Sequence, residues 1–144
     1  MDLLKVADVP ATTVTKDATV IDAINAMVKN RVGAVAVVEQ GYLKGIFTER
    51  DLMIRVVQAR RHPETTKMSE VMTTSVQTVE ADMSANEALS RMIEQHIRHL
   101  PITDQNGRIL GMLSIRNLLQ RRVEDLSHEL EAVDAYLTAD GIGG

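Results

Sequence analysis

Hydrophobic positions along this chain follow a helical spacing and then a strand spacing, and the sequence of spacings runs through twice. Residues 3–9 form a short amphipathic piece ended by Pro10, either a helical turn or a lead-in strand, and residues 12–15 are β-branched and short, as at a sheet edge. Val20, Ala23, Ile24, Met27 and Val28 then recur at helical period as far as Asn30, behind Thr19 and Asp22 at capping-box spacing. Residues 32–38 are almost continuously apolar and small, which suits a buried strand. Glu39, Gln40 and Gly41 turn the chain into a second short strand over residues 43–47, so the pair predicts a hairpin. Thr48 opens the next helix, expected to run to Ala59, with Asp51 three residues on as the answering side chain of another capping box. Residues 60–68, with Arg61, His62, Pro63 and two threonines, read as a linker.

The second pass aligns residues 71–79 with 6–14 at an offset of roughly 65, placing Thr78 on Thr13, Val79 on Val14 and Asp82 on Asp17. Ser84 and Glu87 repeat the capping-box spacing, and Ala88, Leu89, Met92 and Ile93 make the buried face of the helix that follows. The strand over residues 97–103 carries Arg98, His99 and Pro101; proline cannot donate to a sheet ladder and belongs at an edge, a strand start or a bulge. A turn of Asp104, Gln105, Asn106 and Gly107 leads to a partner strand at 109–113, and Ser114 caps a helix from Ile115. That helix continues, or breaks and restarts, through a stripe of Val123, Leu126, Leu130, Val133 and Leu137, and residues 139–144 are expected to fray. A strand running straight into a capped helix aims free N–H groups at whatever lies beside the turn, and here it does so twice. Function is therefore expected where the two copies meet.

Composition narrows the classes. A chain of 144 residues can form two half-domains sharing a core but not two large independent domains. A single Phe and no Trp leave the core to Val, Ile, Leu, Met and Ala, so the Met residues read as core filler. With no Cys, disulfides and thiol catalysis are excluded. A net charge of −4 gives no overall pull toward nucleic acid or an anionic membrane, and no apolar run is long enough for a membrane span; the expected location is cytoplasmic. There is no G-x-S-x-G elbow, no H-E-x-x-H pair and no Walker loop, so an enzyme is not expected, and the histidines have no metal-ligand spacing.

Gly45, Thr48 and Asp51, repeated as Gly111, Ser114 and Asn117, form a G-x-x-T/S-x-x-D/N signature closing each copy, and His99 to Ile102 reads H-L-P-I. Together with the strand, helix, strand, strand, helix order, this resembles a tandem pair of cystathionine-β-synthase type (CBS) domains, a Bateman module, over about residues 6–121. The resemblance implies an α/β (α+β) fold of two β-α-β-β-α repeats about a pseudo-two-fold axis, with a C-terminal helical extension. It divides the chain into a first repeat at 1–61, a linker at 62–67, a second repeat at 68–121, a C-terminal helix at 122–138 and a flexible tail at 139–144. It further implies a regulatory rather than catalytic module that senses an adenosine-containing ligand, and a disc-shaped homodimer.

By the same resemblance Asp51 would accept hydrogen bonds from the ribose hydroxyls, Thr48 would reach the ribose or α-phosphate, and Arg50 would contact phosphate. Thr13 and the backbone of Val14 would lie at the lip of the cleft, with Ala34 and Val35 lining the adenine slot. Thr78, Arg98, His99, Ser114 and Asn117 take the matching places in the second copy, where Asn117 in place of the usual Asp implies a weaker or altered site. On residue types alone Thr48 with Asp51 is a helix cap, and Arg98 with His99 a solvated pair beside a strand. Few cations face the expected site, which favours AMP or ADP over ATP, with S-adenosylmethionine also open. Two non-enzymatic readings follow. One is a nucleotide sensor that changes its dimer shape and signals to an effector protein through the C-terminal helix; the other is an interaction module whose clefts have lost their ligands.

Overall fold

The computed structural model describes residues 2–137, and the tail at 139–144 lies outside that range. The chain begins with a single 3-10 turn, Leu3–Lys5. The first repeat continues with β1 (Thr13–Val14), α1 (Val20–Asn30), β2 (Ala34–Glu39), β3 (Tyr42–Thr48) and α2 (Glu49–Asp51). Thr19 and Asp22 close a full capping box on α1, and Arg31 ends it in the left-handed region at φ 55°. Gln40 and Gly41 both have positive φ, as a two-residue hairpin turn between β2 and β3 requires. After α2 the backbone loosens into a π-helical stretch, Leu52–Val57, closed by Gln58 N–H on the Met53 carbonyl at 2.9 Å. The helix from Thr48 thus changes pitch after one turn and stops short of the expected Ala59.

The second repeat comprises α3 (Met68–Val71), α4 (Ala85–Gln95), β4 (His99–Thr103), β5 (Ile109–Ser114) and α5 (Ile115–Leu137). Ser84 accepts from Glu87 N–H to cap α4, though the reciprocal bond of a full box is not made. His96 repeats the left-handed C-cap at φ 54°. Five residues join β4 to β5, against two between β2 and β3, and the longer loop is held by Asp104, whose side chain accepts from the N–H groups of Asn106 and Arg108. Helix α5 continues unbroken, burying Leu118 and leaving Val123, Leu126, Leu130, Val133 and Leu137 exposed.

The sheets are unequal for a reason carried by one residue. In the first repeat Ala36 N–H donates to the Thr12 carbonyl at 2.9 Å, and β1 pairs in parallel with β2. Pro101 stands in the matching place of β4 and has no N–H to give, so the strand beside it shrinks to an isolated bridge between Val79 and Ile102. The sheets are ordered β1-β2-β3 and β4-β5, and Pro101 falls on the edge of the two-stranded one.

Each repeat's leading segment is seated on the other repeat. Leu3 is fully buried in the second core, beside Leu100, Ile102 and Leu113, with its N–H on the Ala81 carbonyl at 2.9 Å. Met68 and Val71 lie in the first core with Val35, Val37 and Phe47, and Met68 N–H reaches the Ala18 carbonyl at 2.8 Å. The linker is likewise docked: the carbonyls of Pro63 and Thr66 receive the N–H groups of Ile21 and Val20, two donors that a helix start leaves free. Between the sheets a small apolar cluster of Ala34, Ala36, Ile46 and Met112 lets the repeats approach closely. Among the described residues no helix is long and apolar enough to cross a membrane.

Candidate functional site

A cleft of about 1300 Å³ opens between the repeats, where β2 and β3 face β4 and β5. The chain reaches it by the same geometry twice. Strand β3 leads straight into α2 at Thr48, and β5 leads straight into α5 at Ser114. The glycine three residues before each cap lets a neighbouring backbone come close. A methyl group on Gly45 would sit 2.9 Å from the Thr73 carbonyl, and one on Gly111 would sit 3.1 Å from the Asp8 carbonyl.

In the first half of the cleft Thr48 and Asp51 form a reciprocal capping box. Thr48 Oγ1 accepts from Asp51 N–H at 3.2 Å, and Asp51 Oδ2 accepts from Thr48 N–H at 3.0 Å. Asp51 is only 8% exposed. Its other oxygen, Oδ1, accepts from the Thr73 hydroxyl at 3.1 Å and pairs with Arg55 Nε at 3.5 Å. In the second half Ser114 Oγ accepts from Asn117 N–H at 3.1 Å, and Asn117 Nδ2 donates to Asp8 Oδ1 at 3.4 Å.

Ala34, Thr48, Arg50, Asp51, Arg98, His99, Ser114 and Asn117 all line this cleft. Thr13, Val14, Val35 and Thr78 do not. Side chains alternate across a strand, so Ala34 faces the cleft while Val35 points into the first core. Val14 packs on that same core, and Thr13 and Thr78 are exposed elsewhere, with Thr12 and Gln77 lining the cleft instead. Arg116 also lines it, as the repeat mate of Arg50, and the offset between the copies points to it directly. Asp8 and Thr73 were reachable only through the exchange of leading segments, for which hydrophobic spacing carries no signal. Arg50 Nη1 donates to the His96 carbonyl at 3.4 Å, tying the first repeat's helix start to the second repeat.

His99 stands in the second repeat where Ala34 stands in the first, with its ring close to Gly33 and Glu49. Burial lowers its pKa below the usual 6.5; Glu49 and Asp8 pull the other way, and Arg98 adds to the lowering. Among the described residues no group of three or more His, Asp or Glu is placed to hold a metal ion.

The family model of the CBS domain matches residues 6–58 and 68–124, and the chain belongs to that family. CBS domains are non-catalytic regulatory modules, and both copies in this chain are of that kind. It is 38% identical over 117 residues to the CBS domain-containing protein YhcV of Bacillus subtilis, covering 81% of this chain and 80% of YhcV. It is 38% identical over 103 residues to the uncharacterized protein MK0525 of Methanopyrus kandleri, covering 71% of this chain but only 53% of that protein. With the mitochondrial CBSX3 of Arabidopsis thaliana it shares 35% identity over 128 residues, 85% of this chain and 62% of CBSX3. Among solved structures, a protein with CBS domains from Burkholderia ambifaria superposes with a TM-score of 0.78 at 32% identity, over 87% of this chain and 96% of that one. The CBS domain protein PAE2072 of Pyrobaculum aerophilum, solved with AMP, shares the fold with a TM-score of 0.73 at 23% identity, over 81% and 89% of the two chains. The CBS pair of MJ0100, solved with 5′-methylthioadenosine and S-adenosylmethionine, does so with a TM-score of 0.78 at 19% identity, over 87% and 98%.

Proposed function

We propose that this CBS pair senses an adenosine nucleotide in the cleft between its repeats, prefers AMP or ADP to ATP or S-adenosylmethionine, and relays occupancy through a change in the shape of a homodimer. The observation that carries this reading is the Thr48–Asp51 pair. It combines a carboxylate, a hydroxyl and a helix start on the wall of a cleft large enough for a nucleotide. Adenosine ligands bound to the distant relatives PAE2072 and MJ0100 support the ligand class. Charge supports the shorter phosphate chain. Arg31, Arg50, Arg98 and Arg116 line the cleft together with the carboxylates Asp8, Glu49 and Asp51, and burial holds His99 toward its neutral form. The balance suits one phosphate better than three. The exposed stripe on α5 is the face offered to a second copy or an effector protein.

A second reading, an interaction module without ligand, has one observation in its favour: both oxygens of Asp51 are already engaged by Thr48, Thr73 and Arg55. Calorimetric titration of nucleotide-stripped protein with AMP, ADP, ATP and S-adenosylmethionine decides between them, with light scattering on the same sample giving the mass. Binding of AMP or ADP that Asp51→Ala weakens by roughly 10- to 150-fold, the worth of a hydrogen bond to a charged group, supports the sensor. A folded dimer that ignores all four ligands supports the interaction module, and a mass of one chain removes the dimer from either reading.

A further inference from the structure

We propose that in the second of the two half-sites that a CBS pair implies, Asp8, not residue 117, supplies the carboxylate. This rests on the adenosine reading above. In the first half of the cleft the acid is on the helix, at Asp51, and its partner Thr73 comes from the exchanged leading segment. In the second half the types are traded: the helix carries the neutral Asn117, and the leading segment brings Asp8. The backbone places both partners alike. Thr73 pairs with Ile46 through two bonds of 2.9 Å, and Asp8 pairs with Met112 through bonds of 2.9 and 3.0 Å.

A carboxylate has room for about four hydrogen bonds. Among the described residues the Asp8 carboxylate accepts only from Asn117 Nδ2 and has no cation within ion-pair distance, so most of its acceptor capacity is unspent, and the residue lines the cleft. Asp51, by contrast, is engaged on both oxygens. The loss of the acid at position 117 therefore leaves the second half with a carboxylate at a neighbouring point, better able to receive a vicinal diol. Arg116 lines the same cleft as its candidate phosphate partner, and His99 in the place of Ala34 makes the two positions unequal in shape. The ligand class is a nucleoside or nucleotide with a free ribose diol.

Calorimetric titration of the full chain with AMP, reading sites per chain, tests this. Wild type takes two AMP, Asp51→Asn keeps one, and Asp8→Asn in that background weakens the remaining association roughly tenfold or more, the scale of a hydrogen bond to a charged group. Asn117→Asp alone also weakens the second position, because it sets two carboxylates against each other and removes the amide donor. Asp8→Thr combined with Asn117→Asp rebuilds the first half's pairing and restores binding, which a merely damaged fold would not do. One AMP per wild-type chain, untouched by Asp8→Asn, overturns the second position and leaves the sensor standing. Tighter binding in Asn117→Asp alone also overturns it. No AMP bound by wild type overturns this proposal together with the AMP reading.

Discussion

Leu3 lies in the second repeat's core although it precedes the first repeat, so truncating it should damage the distant half of the molecule. The side chain is fully buried against Leu100, Ile102 and Leu113. Leu→Ala at a buried site costs about 2–5 kcal/mol, according to how far the surroundings collapse. Leu3 sits on a single 3-10 turn, so its surroundings can relax, and the lower part of the range, about 2–3 kcal/mol, is expected. For a chain of this size each kcal/mol moves the midpoint by about 2–4 °C, so Leu3→Ala should melt roughly 5–10 °C below wild type. Hydrogen exchange gives the sharper reading. Amides of β4 and β5 should lose protection first, while those of β2 and β3 hold. Met68→Ala should invert that order, since Met68 is buried in the first core. A Leu3→Ala variant that melts with wild type, or that loses protection in β2 and β3, would refute the exchange of leading segments.

Two further outcomes follow from contacts already described. Gly45→Ala should cost about 2–3 kcal/mol by urea denaturation, the upper range for overpacking, because the new methyl would meet the paired Thr73 carbonyl at 2.9 Å and Met72 Sδ at 2.8 Å. Gly111→Ala, whose nearest contacts are 3.1 Å, should cost less, and the reverse order would contradict the packing. His99 has a lowered pKa in the folded chain, so the unfolded chain binds its proton first; stability should fall as pH drops below the ordinary value of 6.5 and level off beneath the folded value. His99→Gln should flatten that part of the urea midpoint profile between pH 7 and pH 5, and an unchanged slope would assign it to other groups.

Periodicity made the repeat legible because each element buries one face, and both capped helix starts place a hydroxyl residue three positions before the N–H it accepts from. From its missing donor alone Pro101 could be confined to an edge, a strand start or a bulge. The consequence for its neighbour required the partner strand: only with Thr12 bonded to Ala36 does the loss of that donor explain why the second sheet has two strands. Strand parity limited the reading of the site. A run as uniformly apolar as residues 32–38 does not say which face meets the cleft, so Ala34 and Val35 could not be separated until Val35 was seen in the core. Asn117, read alone, looked like a weakened copy of Asp51. The exchange of leading segments gives it a different meaning, since the segment that brings Thr73 to the first half brings Asp8 to the second. Each half then holds one acid and one neutral hydrogen-bonding partner, distributed oppositely between helix and leading segment. A signature confined to one repeat sees only the helix side of each pair. Judging a CBS half-site by the residue at the helix position alone will therefore undercount carboxylates wherever the leading segment supplies one.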